Sequence, residues 1–206
     1  MPYTAHQTVT FQPAFARGMT IAVSALAAVA LVWTALEDPG AALRYLPVFL
    51  LVPAAVWALY GRPAVIISDG GVELRNVVRT VELPWPAIQR IDTKYALTLE
   101  TAYGPFAAWA APAPSRAAAV HATRSVMQVQ PESAYHAGGL RPGDLAGTSS
   151  GDAAGYIRRR WEELRDAGHL DDPRLERARP VVHWHLRPAL VVLVLAGASI
   201  AMLALG

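Results

Sequence analysis

Three stretches without a single charged side chain constrain this chain more than any other feature: residues 19–36 (MTIAVSALAAVALVWTAL), 45–61 (YLPVFLLVPAAVWALYG) and 188–206 (PALVVLVLAGASIAMLALG). An α-helix rises about 1.5 Å per residue, so eighteen residues reach roughly 27 Å, close to the hydrocarbon thickness of a bilayer. A helix buried in a soluble core usually keeps a polar stripe, and none of the three has one. Each is therefore expected to span a membrane. Pro47 and Pro53 in the second segment are compatible with this, because neighbouring helices can re-satisfy the carbonyls that proline frees. A secretory leader is the rival for the first segment. Its apolar run is longer than the usual h-region, and a second apolar segment follows after eight residues. The composition agrees: 53% of the 206 residues are hydrophobic and 17% charged, too apolar for a soluble domain of this size.

The basic residues set the expected orientation. Sixteen of the 18 Lys and Arg fall within residues 62–187, whereas the short connection 37–44 (EDPGAALR) has one Arg against two acids. The soluble region and the N-terminus are then cytoplasmic, with the 37–44 loop and the C-terminus outside, in the plasma membrane. Trp33 and Tyr45 fall at the outer ends of their spans, and Trp57, Tyr60, Arg62, Trp184 and Arg187 at the inner ends, where amphipathic anchors belong. The chain contains no cysteine, which excludes disulfides, thiol catalysis and Cys-ligated zinc. Within residues 62–187 sixteen basic residues face fourteen acids, and nothing resembles a nucleic-acid-binding tract.

Past Arg62 the hydrophobic period becomes two, the signature of strands. Residues 64–68 (AVIIS) and the alternating Val72 and Leu74 flank the turn signal Asp69-Gly70-Gly71 and predict a hairpin. Residues 77–83 alternate again until Pro84-Trp85-Pro86 stops the strand. Ile88 and Ile91 lead into 95–101 (YALTLET), in which Tyr95, Leu97 and Leu99 are expected to share a face, and 106–110 adds an apolar strand ending at Pro112. Five or so short strands joined by tight turns predict an antiparallel, meander-like sheet. A helix is predicted over 152–168, with Asp152 as N-cap, Gly168 as stop, and Ile157, Trp161 and Leu164 as its apolar stripe.

The order AVIISDGGVELRN, VVRTVELPWPAIQRI and LTLETAYGPFAAWAAPAP resembles the bacterial pleckstrin-homology-like domain of small actinobacterial membrane proteins, the low molecular weight protein antigen 6 family. The resemblance is carried by the Asp69-Gly70 turn, the strand end Leu74-Arg75-Asn76, and Leu83-Pro84-Trp85 followed by Ile88, over roughly residues 62–114. It implies a bent antiparallel sandwich closed by a C-terminal helix. The expected fold class is thus a membrane protein with three transmembrane α-helices and an α+β cytoplasmic pleckstrin-homology-like domain. Its parts are an N-terminal segment (1–18), a transmembrane hairpin (19–61, with spans 19–36 and 45–61), the sheet (62–114), a partly disordered loop (115–151), an amphipathic helix (152–168), a juxtamembrane segment (169–187) and a third span (188–206).

Few residues suggest chemistry. Arg158-Arg159-Arg160, with Arg62, form a candidate contact for anionic lipid headgroups, but Glu162, Glu163 and Asp166 follow at once and favour a solvated helix face. His183 and His185 have the spacing of two ligands on one strand face, yet no carboxylate or further histidine adjoins them in sequence. They read as interface residues flanking Trp184. Residues 138–145 (GGLRPGDL) superficially match a stretch of PDZ domains, but a PDZ domain needs about eighty residues, and a Pro-Gly turn suffices to explain them. No nucleophile motif, paired-carboxylate pattern, phosphate-cradling loop or metal motif occurs, and no Asp, Glu, Lys, Arg or His lies inside the spans to relay a proton or bind an ion. The expectation is a non-enzymatic module without cofactor or metal, binding a protein partner or a second copy of itself. The alternatives are inner-leaflet lipid binding and service as an accessory subunit of a transporter or membrane enzyme.

Overall fold

The structure, a computed structural model, describes residues 8–114, 144–145, 147–170 and 178–204. Its chain divides into two compact units: one of Pro13–Pro63, Val77–Arg79 and Trp184–Gly206, the other of Met1–Gln12, Ala64–Asn76 and Thr80–His183.

The first unit holds the apolar helices α1 (Ala14–Glu37), α2 (Pro39–Val56) and, towards the end of the chain, Leu186–Ala204. Each is long and apolar enough to cross a membrane, α2 together with the turn that continues it to Gly61. The chain is a multi-pass membrane protein. Three hydroxyls within the helices donate to the carbonyl one turn back: Thr20 Oγ1 to Ala16 O at 2.8 Å, Thr34 Oγ1 to Ala30 O at 2.9 Å and Ser199 Oγ to Leu195 O at 2.7 Å. None of these hydroxyls therefore carries an unmet donor into lipid.

The α1–α2 connection differs from the expected eight-residue loop. Only Asp38 separates the helices. Its N–H donates to Thr34 O at 2.8 Å and ends α1, while its carboxylate accepts from Gly40 N and Ala41 N at 2.9 and 3.0 Å and starts α2. Pro39 occupies the first turn, where a missing N–H costs nothing. Residues 39–44 are helical because this cap outweighs the loop composition. At the other end, α2 passes into a π-helical turn, Trp57–Gly61, closed by Arg62 N donating to Trp57 O at 2.9 Å. Gly61 lies against Thr20 of α1 and the Trp57 ring, with no room for a Cβ. The two helix ends thus come together there.

The second unit contains two antiparallel sheets. The five-stranded sheet has the order β1-β2-β3-β4-β8, from β1 (Val9–Phe11), β2 (Ala64–Ser68), β3 (Gly71–Arg75), β4 (Arg79–Pro84) and β8 (Val181–Trp184). The three-stranded sheet has the order β5-β6-β7, from β5 (Ile88–Asp92), β6 (Ala96–Thr101) and β7 (Gly104–Pro112). The β2–β3 hairpin turns at Asp69-Gly70 with Ser68 opposite Gly71, as its sequence predicts. The meander-like run of strands expected from sequence is thus divided between two antiparallel sheets, in keeping with the sandwich that the resemblance implies, and the division falls at Pro84-Trp85-Pro86, where a short 3-10 turn (Trp85–Ala87) follows β4. Trp85 closes the turn by donating its indole N–H to Ser68 O at 3.0 Å. Strands β1 and β8 had no counterpart in the expected meander.

The core lies between the sheets and under helix α3 (Ser149–Asp166). Val65, Ile67, Val72, Leu74, Val81, Leu83, Leu97, Leu99 and Ile157 are all buried. Those on strands alternate with exposed or half-buried neighbours, apart from the buried Ala64 beside Val65, Gly71 beside Val72 and Thr80 beside Val81. Tyr95 does not join Leu97 and Leu99. It precedes β6, is largely exposed, and lies under the Lys94 ammonium. Helix α3 buries Ala153, Ala154 and Ile157, with Trp161 and Leu164 packed at the margin. Its N-cap is Thr148, whose hydroxyl accepts from Gly151 N at 3.0 Å. Asp152, expected to cap, instead sits in the first turn and accepts from Gly147 N at 2.8 Å. At the other end Gly168, at φ +70°, donates to Arg165 O, and His169 N donates to Leu164 O, the pairing of a glycine-terminated helix. The remaining apolar helix, Leu186–Ala204, is α4, packed on α2. Most of the expected loop, residues 115–143, and with it the 138–145 motif up to Gly143, lies outside the described residues.

Candidate functional site

A three-stranded sheet has two edges, and their fates differ. Along β7, the Asn76 side chain fills the place of a neighbouring strand: its Nδ2 donates to Ala107 O at 2.9 Å and its Oδ1 accepts from Trp109 N at 2.7 Å. One amide thereby pairs a carbonyl and an N–H that would otherwise attract another chain. Asn76 follows directly on β3, so this pairing also closes the seam between the sheets. Along β5, the other edge, the ladder to β6 slips by one residue at Gln89, because Ile88 faces Thr101 while Arg90 faces Glu100. Such a bulge turns its side chains out of the regular alternation. Gln89 and Arg90 are both exposed.

Beside this edge, a cleft of about 150 Å³ is lined by Ile88, Gln89, Arg90 and Ile91 of β5 and by Arg158, Trp161 and Glu162 of α3. Trp161 forms its wall and fixes it, donating its indole N–H to Ile88 O at 3.1 Å. Arg158 is held by Asp144, Nη2 to Oδ1 at 2.7 Å, and the same carboxylate oxygen accepts from the buried Thr93 Oγ1 at 2.7 Å. A charge-assisted bond anchored on a buried hydroxyl restrains the guanidinium at the cleft. Arg90 lies 3.9 Å from Glu100. The cleft thus combines apolar walls, two cations, one carboxylate and an adjoining strand edge, the chemistry that receives an extended peptide segment.

The arginines singled out in the sequence are not gathered into one site. Arg158 faces Asp144, whereas Arg160 reaches Asp69 at 3.0 Å and Glu163 at 3.1 Å. The Arg159 guanidinium lies 5.8 Å from the Tyr156 ring centroid. Arg62 belongs to the other unit and donates to Val77 O at 2.9 Å. His183 and His185 do not act as a pair. His183 Nε2 is 3.3 Å from Glu82 Oε1 across the sheet, a carboxylate no sequence spacing reveals, and His185 donates its backbone N–H to Val78 O at 2.8 Å. Among the described residues no group of three or more His, Asp or Glu is placed to hold a metal. The roles of Asn76 and Asp144 escaped the sequence reading, because their partners lie 14 or more positions away and leave no local signal, and Gln89 joins the cleft only through the fold.

Residues 62–135 match the family of bacterial PH domains. No curated protein and no solved structure matches the chain. The molecule therefore joins three membrane-spanning helices to an antiparallel β region of bacterial PH type.

Proposed function

We propose that this protein is a non-enzymatic, membrane-anchored pleckstrin-homology-like module of the actinobacterial low molecular weight protein antigen 6 kind, whose cytoplasmic domain receives a protein segment at the inner leaflet. The segment belongs either to a partner or to a second copy of the chain. The observation that carries this reading is the asymmetry of the three-stranded sheet. Asn76 seals the β7 edge, while the β5 edge borders a cleft with fixed walls. Backbone groups along β5 supply affinity to an extended segment, and Arg90, Arg158 and Glu162 select its charge pattern. The cytoplasmic placement follows from the sixteen Lys and Arg between residues 62 and 187.

The test is site-specific photo-crosslinking of the full-length protein in its native membrane, with the reactive side chain at Gln89 and a control at Ala102 on the β6–β7 turn. The expected result is a discrete polypeptide adduct from Gln89 alone, lost on Arg158→Glu substitution. Adducts of equal yield from both positions, or none from Gln89 together with a monomeric protein in detergent, would overturn the reading.

A further inference from the structure

The unit that contains the membrane helices also contains a piece of the β region, residues Val77–Arg79, the tip of the β3–β4 hairpin. Both of its valine carbonyls are held from the helix ends. Val77 O accepts from Arg62 Nη1 at 2.9 Å, and Val78 O accepts from the backbone N–H of His185 at 2.8 Å. Arg62 is the first residue after the turn that ends α2, and His185 immediately precedes α4. A group bonded to the ends of two membrane-crossing helices lies at the depth of those ends. The middle of the reversal, Val77-Val78, is apolar, with Val78 47% exposed, and its one turn-forming residue, Asn76, has its side-chain amide bonded to β7.

The segments that meet at this end of the helices carry charges of one sign. Arg17 on the first turn of α1, Arg62, Arg79 and Arg187 all belong to this end of the helices, since Gly61 packs on Thr20 one turn beyond Arg17. Residues 13–20, 57–63, 77–79 and 184–188 contain no acid. The Arg79 guanidinium lies 5.8 Å from the ring centroid of Trp184, and Trp57 and Tyr60 are exposed nearby on the π turn. Exposed valine, indole rings and arginines together match a headgroup layer, where apolar groups enter the acyl boundary and guanidinium groups reach phosphate.

We infer that Val77–Arg79 is a finger that inserts into the phospholipid headgroup layer of the bilayer its own helices cross, with Arg79 and Arg187 meeting lipid phosphate. This rests on the membrane helices and is independent of any partner at β5. The absence of cysteine makes the test direct. Full-length Val78→Cys, Leu186→Cys and Gly70→Cys proteins carry a nitroxide label in phosphatidylcholine nanodiscs, and collision with oxygen is compared with collision with a water-soluble nickel chelate. Oxygen is expected to dominate at Val78 as at Leu186, with a ratio several-fold above that at Gly70. A nickel-dominated signal at Val78, equal to that at Gly70, overturns the inference, as does dipolar broadening between Val78 labels, which would make a second copy the occupant. Val77→Cys provides the same reading if Val78→Cys fails to assemble. Adding Arg79→Glu and Arg187→Glu is expected to shift the Val78 label towards water, and an unchanged ratio would remove the arginines from the contact.

Discussion

Gly71 shows how one missing Cβ fixes a strand pairing. It begins β3 at φ +156°, and a Cβ there would be driven into the carbonyl of Leu83 on β4. Gly71→Ala therefore meets a backbone conflict as well as an unfavourable φ, at a cost of about 1–3 kcal/mol. The expected outcome is a lower unfolding temperature of the full-length protein in detergent, read by tryptophan fluorescence. Ser150 presents the opposite case. Its hydroxyl is buried and, among the described residues, the one buried polar side-chain atom with no hydrogen-bond partner. An unmet buried polar group is unfavourable, and alanine is the better helix former in the first turn of α3. Ser150→Ala should leave the unfolding temperature unchanged or raise it, and a clear fall would refute this. In sequence the Asp-Gly-Gly reversal was legible as a turn, whereas the need for glycine at Gly71 arises from Leu83, twelve residues away. Nothing in residues 148–151 (TSSG) distinguishes the buried serine from its exposed neighbour Ser149.

Elements were legible where the signal is local. The apolar helices, the β2–β3 hairpin and the amphipathic stripe Ile157, Trp161, Leu164 each follow from runs or periods within one window. What escaped depends on distant partners. Strand β1 is three residues long and pairs with β2, more than fifty residues on, in the register Val9 to Ile67. Strand β8 runs straight towards an apolar helix, and its own hydrophobic pattern merges with that of the span. The division into two sheets turns on the Pro84-Trp85-Pro86 stop, read correctly as the end of a strand but without indicating which sheet receives the next one. The candidate cleft was half visible, since Ile88, Ile91 and Trp161 were each noted, but only the fold brings them together. Asn76 makes the element-scale prediction. Asn76→Ala unpairs Ala107 O and Trp109 N, and about 1–3 kcal/mol of stability should be lost. Amide hydrogen exchange at Trp109 should accelerate while that at Leu99, in the middle of β6, follows only the global change; equal acceleration at both would deny Asn76 its sealing role.

For the molecule as a whole, membrane-crossing helices flank the bacterial PH region on both sides in the chain: α1 and α2 before it, α4 after it. The proposed orientation yields a clear prediction for intact cells. A single cysteine at Gly40 should react with a membrane-impermeant maleimide, whereas one at Gly70 should react only after permeabilisation, and the reverse pattern would invert the topology. The helical hairpin has a mechanical corollary. Asp38 alone links α1 to α2 and is already extended, at φ −145° and ψ 96°, so the two Cα–Cα steps across it, about 3.8 Å each, have little further reach to give. Sliding one helix along the other by a turn requires about 5.4 Å. The pair therefore has no slack for piston motion. Any message that crosses the bilayer through α1 and α2 must travel as tilt or rotation, pivoting on a single aspartate.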